Sequence, residues 1–300
     1  MGPEIWVDGH PIPALGAALL GIVVGYLAGM FGIGGGFLMT PLLVALFGVS
    51  LSTAVGTGLC QMIGTSLVSL LRHRRVNQGE SRFDLLMIPG SLLGVELGSR
   101  LLSKLSTMGS VQIAGGEVPW VNLVVEACYS LMLSWVALSY WRRSGGAVDR
   151  LQYLRPGPFS RVALGPRLDL PRVGLRAVSA PLIAYIGLGL GTLSGLLGIG
   201  GGVALNPVLI YGYGFPIRQA VGTGILVLFV TALVGTVSHA SRGHVNLSLA
   251  LVLLVGGTIS AQLGALMSKR LSGAALGRIH ALVIGFAILA VLWDLVRRVG

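Results

Sequence analysis

The segment Gly32-Ile33-Gly34-Gly35-Gly36, followed by Pro41 and by Ala54-Val55-Gly56-Thr57-Gly58, is written again 166 residues later as Gly198-Ile199-Gly200-Gly201-Gly202, with Pro207 and Ala220-Val221-Gly222-Thr223-Gly224. Over positions 32 to 58, 13 of 27 residues match their partner without a gap. The register holds further on, at His73/His239, Gly90/Gly256 and Leu97-Gly98/Leu263-Gly264. A chain written twice is constrained to fold as two like units. In a membrane protein, a duplicated apolar unit interrupted by glycines points to a secondary transporter, with its substrate where the two broken segments meet.

Composition makes the membrane assignment. With 54% hydrophobic and 10% charged residues and 47 glycines, the chain lies far from a soluble domain, which carries about 25% charge. Apolar stretches near the ~20 residues of a spanning helix fall at 53–71, 83–103, 120–141, 216–238, 246–268 and 279–296, which gives six full spans. The net charge of +11 does not indicate nucleic acid, because the basic residues lie between apolar segments instead of forming one face of a soluble module. Glu4 and Asp8, with no Lys or Arg before the first apolar run, lack the pattern of a cleaved signal peptide, so the start is expected to be retained and outside. Cys60 and Cys128 fall in apolar segments and read as small buried hydrophobes, and no cofactor or metal site is expected.

Two stretches do not fit as ordinary spans. Leu15–Phe31 runs straight into the glycines, and Phe37–Leu46 has only ten residues, as short as its counterpart Val203–Tyr211. A short arm after a glycine break predicts a re-entrant hairpin that turns inside protein. The expected fold is therefore an all-α membrane protein of two inverted-topology repeats, each a re-entrant helix hairpin with a glycine-rich tip plus three transmembrane helices. Three spans are an odd number, so the second half must be inverted. In that topology sixteen of the 21 basic residues are inside, among them Arg72, Arg74, Arg75, Arg82, eight arginines of 142–176, Arg218, Lys269, Arg270 and Arg278. The organisation follows: an extracytoplasmic N-terminus at 1–13, a first membrane repeat at 14–141, a basic, proline-containing cytoplasmic linker at 142–176, and a second repeat at 177–300. The linker, with Pro156, Pro158, Pro166 and Pro171, is expected to be irregular.

The glycine tips carry the chemistry. No G-x-x-x-x-G-K-[ST] loop occurs, which removes ATP hydrolysis by this chain as a driving force, and no strand–helix unit surrounds the glycines to make a dinucleotide site. A glycine run lets the backbone turn sharply and leaves the first N–H groups of the next helix, with its positive dipole end, free to meet an anion. The substrate-binding candidates are Gly34, Gly35, Gly36 and Thr40 in one half and Gly200, Gly201, Gly202 and Asn206 in the other, with Thr57 and Thr223 offering hydroxyls toward the tips. Simple close helix packing is the competing account of these glycines.

Ionisable groups within spans are functional candidates. Glu96, one turn from Arg100, is either half of an i,i+4 ion pair or a proton-coupling carboxylate. Gln61 and Gln262 could line a path, and His73 and His239 occupy equivalent helix ends. Glu126 and Asp294 read as packed or interfacial.

The paired G-x-G-G-G-x-x-x-x-P segments make residues 14 to 297 similar to the TauE/SafE family of sulfite and organosulfur anion transporters. The resemblance implies a cell-membrane (inner membrane) multi-pass carrier of a small anionic sulfur compound such as sulfite, a sulfonate or a sulfoacetate-like molecule, usually an exporter. The partners expected are that anion, the lipid bilayer, and protons or sodium if transport is coupled. A passive anion channel or a proton-coupled importer is the alternative. A membrane-embedded enzyme is disfavoured, since no nucleophile–base pair or tight His/Asp/Glu cluster is legible.

Overall fold

A computed structural model describes residues 3–75, 79–113, 116–141, 156–268, 270–271, 279–280, 282–291 and 293. The first half contains α1 (Ala14–Phe31), α2 (Gly36–Phe47), α3 (Leu51–Arg75), α4 (Ser81–Ser106) and α5 (Trp120–Trp141). The second contains α6 (Ala180–Leu197), α7 (Gly202–Pro207) continued by a π turn (Val208–Tyr213), α8 (Ile217–Gly222), α9 (Ile225–Ala240), α10 (Leu247–Ser268) and α11 (Leu282–Val291). Short antiparallel hairpins decorate the helix ends: β1 (Glu4–Val7) with β2 (His10–Pro13), β3 (Ser110–Ile113) with β4 (Gly116–Pro119), and β5 (Arg167–Leu170) with β6 (Leu175–Ser179).

Among the described residues seven helices are long and apolar enough to cross a membrane: Ala14–Phe31, Leu51–Arg72, Ser81–Ser106, Trp120–Ser139, Ala180–Leu197, Gln219–Ala240 and Leu247–Met267. The six expected spans need adjustment. Both α1 and α6, expected as hairpin arms, are 18 residues long and qualify by length. The expected final span at 279–296 is described as the shorter α11, its ends lying outside the described residues. The span expected at 216–238 is interrupted at Thr223 and Gly224, where α8 gives way to α9. The linker, expected to be irregular, is ordered in its described part as a 3-10 turn (Pro158–Arg161) followed by the β5–β6 hairpin. Its residues 142–155, with four of the arginines counted as inside, lie outside the described residues.

The halves interlock through glycine. Helix α1 packs along α10 and α6 along α4, so each half's first helix lies on a helix of the other half, and α4 and α10 begin 166 residues apart. On α4, a Cβ at Gly90, Gly94 or Gly98 would run into the backbone of α6 at Ala184, Leu188 and Thr192, while one at Gly187, Gly191 or Gly195 would run into α4 at Met87, Ser91 and Val95. The second pair repeats this: Gly21, Gly25 and Gly29 meet Leu253, Gly257 and Ala261, and Gly264 meets Tyr26. Small residues spaced by four on facing helices let backbones approach, which is the main way helices associate where apolar burial gives no driving force. Larger apolar residues face outward instead, as in the exposed stripe Leu251, Val255, Ile259 and Leu263 of α10, where hydrocarbon is the solvent.

Helix α4 starts on a Glu80 cap whose carboxylate accepts from the Arg82 N–H, and α6 on Ser179, which accepts from the Leu182 N–H. Gly94→Ala or Gly191→Ala should force the α4 and α6 backbones apart, at a cost of about 1–3 kcal/mol. Gly189→Ala, on the open side of α6 with nothing within 4 Å, should cost nothing. Thermal unfolding followed by size exclusion in detergent checks the contrast; equal loss in all three variants would contradict the packing account.

Candidate functional site

Gly32 and Gly198 end α1 and α6 in left-handed conformation (φ 68° and 71°), their N–H groups donating to the carbonyls of Ala28 and Ser194 (2.8 Å each). After Ile33 and Ile199, Gly34 and Gly35 (φ 82° and 77°) and Gly200 and Gly201 (φ 65° and 76°) return the chain to that region until α2 starts at Gly36 and α7 at Gly202. Only glycine adopts this run without strain. The tips meet each other directly: a Cβ on Gly36 would strike the Gly198 carbonyl and Ile199, and one on Gly202 would lie 2.5 Å from the Ile33 carbonyl oxygen. The contacts with Ile199 and Ile33 exchange under the 166-residue offset.

The surrounding residues follow the same exchange. Val55 backs Gly198, and Val221 backs Gly32. Met62, at the middle of α3, and Leu228, its counterpart on α9, both lie against Gly34 and Gly200. One turn beyond Met62, the Thr65 hydroxyl donates to the Gly34 carbonyl (3.2 Å). Thr40 is fully buried beside Gly198 and Gly58, and the adjacent Tyr129 hydroxyl donates to the Leu197 carbonyl (3.0 Å). Asn206 is likewise buried on its arm. Met62, Leu228 and Thr65 were not singled out from sequence. The repeat could have found them, because the offset pairs Thr65 with Thr231 as it pairs the glycines.

The Thr57 and Thr223 hydroxyl oxygens each accept a backbone N–H from the other half. The Asn246 N–H donates to Thr57 Oγ1 (3.2 Å) and the Glu80 N–H to Thr223 Oγ1 (2.9 Å), so Thr57 holds the start of α10 and Thr223 the start of α4, each in the other half. Residues 80 and 246 are themselves 166 apart. The clasps are not identical around them. At Thr223 the Asp84 carboxylate accepts the Gly224 N–H (2.6 Å), the Arg172 N–H donates to Glu80 (3.2 Å), and the Gly79 N–H to Gln219 (2.8 Å). At Thr57 the N-terminal hairpin joins instead, with Asp8 accepting from the Ser50 N–H (2.8 Å) and Thr53 Oγ1 (3.0 Å), and the Trp6 carbonyl from Asn246 Nδ2 (2.9 Å).

Glu96 pairs with Arg100 (2.7 Å) and also with Arg242 (2.6 Å), and accepts from Ser238 Oγ (2.6 Å), tying α4 to the end of α9. His239 is buried, its Nε2 donating to the Gly195 carbonyl (2.9 Å) and its other nitrogen facing His244 (3.5 Å). Burial, then nearby Arg242, holds the His244 imidazole below the usual histidine range. Gln61 is fully buried against Gly257, its amide making no hydrogen bond among the described residues. The Gln262 side chain is exposed, and the Gln262 backbone carbonyl accepts from Arg72 (3.1 Å). Glu126 is buried in a cavity of about 20 Å³ with Thr40 and Tyr129. The His73 side chain and Asp294 lie outside the described residues. Among the described residues no group of three His, Cys, Asp or Glu could hold a metal ion.

A family profile described as "Sulfite exporter TauE/SafE" matches residues 17–291, nearly the whole of this interlocked pair of halves. The chain belongs to the TauE/SafE family. The TauE/SafE relatives it resembles include the probable membrane transporter protein YunE of Bacillus subtilis, 28% identical over 84% of this chain and 88% of that protein. YjnA of the same organism, also a probable membrane transporter protein, is 29% identical over 89% of this chain and 94% of its own length. The probable membrane transporter protein MJ0441 of Methanocaldococcus jannaschii is 25% identical over 85% of this chain and 86% of its length. No solved structure matches the chain. Family and spans together make this a multi-pass membrane protein of a transporter family.

Glu96 thus joins α4 to α9 through Arg100, Arg242 and Ser238. Its side chain is one-third exposed, so the network is worth about 1 kcal/mol. Glu96→Gln and Arg242→Gln should each lower the melting temperature, with a double mutant less than additive, and leave the pH dependence of transport unchanged. Loss of that dependence in well-folded Glu96→Gln would give the carboxylate a coupling role.

Proposed function

We propose that this chain is a secondary transporter of small sulfur-containing anions, sulfite, a sulfonate or a sulfoacetate-like compound, working as an exporter. The observation that carries the reading is the reciprocal meeting of the two glycine tips, each preceding a helical arm of twelve residues, Gly36–Phe47 and Gly202–Tyr213. Helix starts leave backbone N–H groups free of intrahelical partners and carry the positive dipole end. Two such ends side by side make an anion site without a buried lysine or arginine. Thr40 and Asn206, four residues into each arm, add polar side chains beside it.

Each half is a re-entrant hairpin followed by three spans, and the halves are inverted. Support comes from the clasps. The start of α3 gathers residues 6–8 and 246, while the start of α4, just beyond the far end of α3, gathers 169–172 and 219–224. Helix α3 has 25 residues, about 37 Å at 1.5 Å per residue. The α8–α9 pair starts at the second cluster and ends near the first, at His239 to Asn246, opposite in direction to its repeat partner α3. Electrostatics supports the export direction: an inside-negative potential contributes about 2.3 kcal/mol per charge per 100 mV to the exit of an anion and opposes its entry.

Proteoliposomes loaded with sulfite should show saturable efflux and counterflow, which separates a carrier from a passive pore. Gly35→Val and Gly201→Val, which place a branched side chain at φ +77° and +76°, should abolish binding. Thr40→Ala and Asn206→Ala should weaken it by about 1–3 kcal/mol each. Thermal-shift titration with sulfite, thiosulfate, taurine and sulfoacetate measures this, and unchanged affinity in all four folded variants would contradict the site. In a background lacking Cys60 and Cys128, Ser81→Cys and Gly243→Cys should react with an impermeant thiol reagent from opposite faces; labelling from one face would refute the inversion.

A further inference from the structure

The space where the tips meet is filled by side chains. A Cβ on Gly34 would lie 2.6 Å from Met62 Cε and 3.8 Å from Leu228 Cδ1. A Cβ on Gly200 would run into Met62 Cε and lie 2.9 Å from its Sδ and 3.5 Å from Leu228 Cδ2. Gly36 is covered by the Met62 sulfur and Gly202 by a Leu228 methyl. Both side chains are buried, at 0% and 3% exposure, Met62 at the middle of α3 and Leu228 one turn inside the start of α9. The two positions are 166 residues apart, so the two halves contribute to one plug from equivalent places.

The chemistry of the plug is opposite to that of the tips. Backbone N–H groups at helix starts favour negative charge, whereas a thioether and two methyls offer an anion nothing. The neighbouring voids are about 20 Å³ beside Thr40 and about 10 Å³ beside Gly200 and Leu228, room for at most one water each. Sulfite has four heavy atoms. An anion at the tips therefore requires the plug to move, and the two residues differ in how easily they can. Methionine is unbranched with three rotatable bonds and a polarizable sulfur, which lets it refill irregular space, while leucine is branched and holds fewer shapes.

We propose that Met62 and Leu228 form the gate of the anion site, with Met62 as the swinging part and Leu228 as the fixed wall, and that their combined bulk sets the largest anion admitted. The inference rests on the transport reading above. In the closed arrangement described here the pair separates the two tips. When Met62 swings aside, the gate favours a compact oxyanion over one carrying an alkyl group, which narrows the anions named in the transport reading to sulfite.

The test compares efflux of radiolabelled sulfite and ethanesulfonate from proteoliposomes containing wild type, Met62→Leu, Met62→Ala or Leu228→Ala. Wild type should carry sulfite in strong preference. Met62→Ala and Leu228→Ala should each raise the ethanesulfonate-to-sulfite ratio about tenfold or more, the discrimination one or two methylenes give in an apolar pocket. Met62→Leu, which keeps the volume, should stay within about twofold of wild type. A gain of ethanesulfonate flux cannot come from misfolding; if size exclusion finds Met62→Ala aggregated, Met62→Val carries the same comparison. Unchanged ratios in the alanine variants beside normal sulfite flux would overturn the gate and leave the transport reading standing. No sulfite flux from folded wild type would overturn the transport reading, and the gate with it.

Discussion

The close approach of glycine-bearing backbones between the halves is the contact on which the rest of the molecule depends. Gly90, Gly94 and Gly98 of α4 against Gly187, Gly191 and Gly195 of α6, and the matching triplet Gly21, Gly25 and Gly29 of α1 against α10, bring main chains to distances that no side chain would permit. Inside a bilayer, lipid solvates leucine as well as another helix does, so association has to come from packing at short range. The pairing joins α1 to α10 and α6 to α4 across the halves, so neither half can close its own glycine seam. The duplicated unit is completed by its copy.

That exchange carries the glycine tips with it. Helices α1 and α6 end at Gly32 and Gly198, and because each is held against the other half, the two ends arrive side by side. The Ala-Val-Gly-Thr-Gly segments then act as spacers between halves. Their valines back the opposite tip and their threonines hold the N–H groups of residues 80 and 246. The departures from symmetry are local. Helix α3 runs unbroken past Gly58, while its counterpart breaks at Gly224, whose N–H is taken by Asp84 where the other half has Ala250. Glu80 draws in Arg172 of the linker, whereas Asn246 draws in the N-terminal hairpin. The ends of the molecule are thus built differently around a more symmetric middle.

The elements from Ala14 to Ser268 were largely legible because apolar length, glycine caps and prolines act locally: expected stretches such as 120–141 and 246–268 agree with α5 and α10 to within a residue. The tips were legible as a pair because the repeat is visible in letters. Three features were not. The break at Gly224 depends on a carboxylate 140 residues away. The Glu96 network depends on Arg242 and Ser238, which lie on another helix, so only the local Arg100 partner could be read. The threonine hydroxyls at 57 and 223 could be assigned to either a tip or a helix start, and spacing alone does not choose between them.

The sequence by itself determined that this chain is a membrane-embedded duplication with glycine breaks at matching places, because hydropathy, backbone freedom at glycine and repetition are properties of the residues themselves. The tertiary structure alone decided which helix each glycine faces, that the two tips touch, and that Met62 and Leu228 occupy the space beside them. The physical reason is that partner choice between apolar helices is set by shape at van der Waals range. Shape at that range belongs to pairs of surfaces, and a surface comes into being only when distant parts of the chain are brought together.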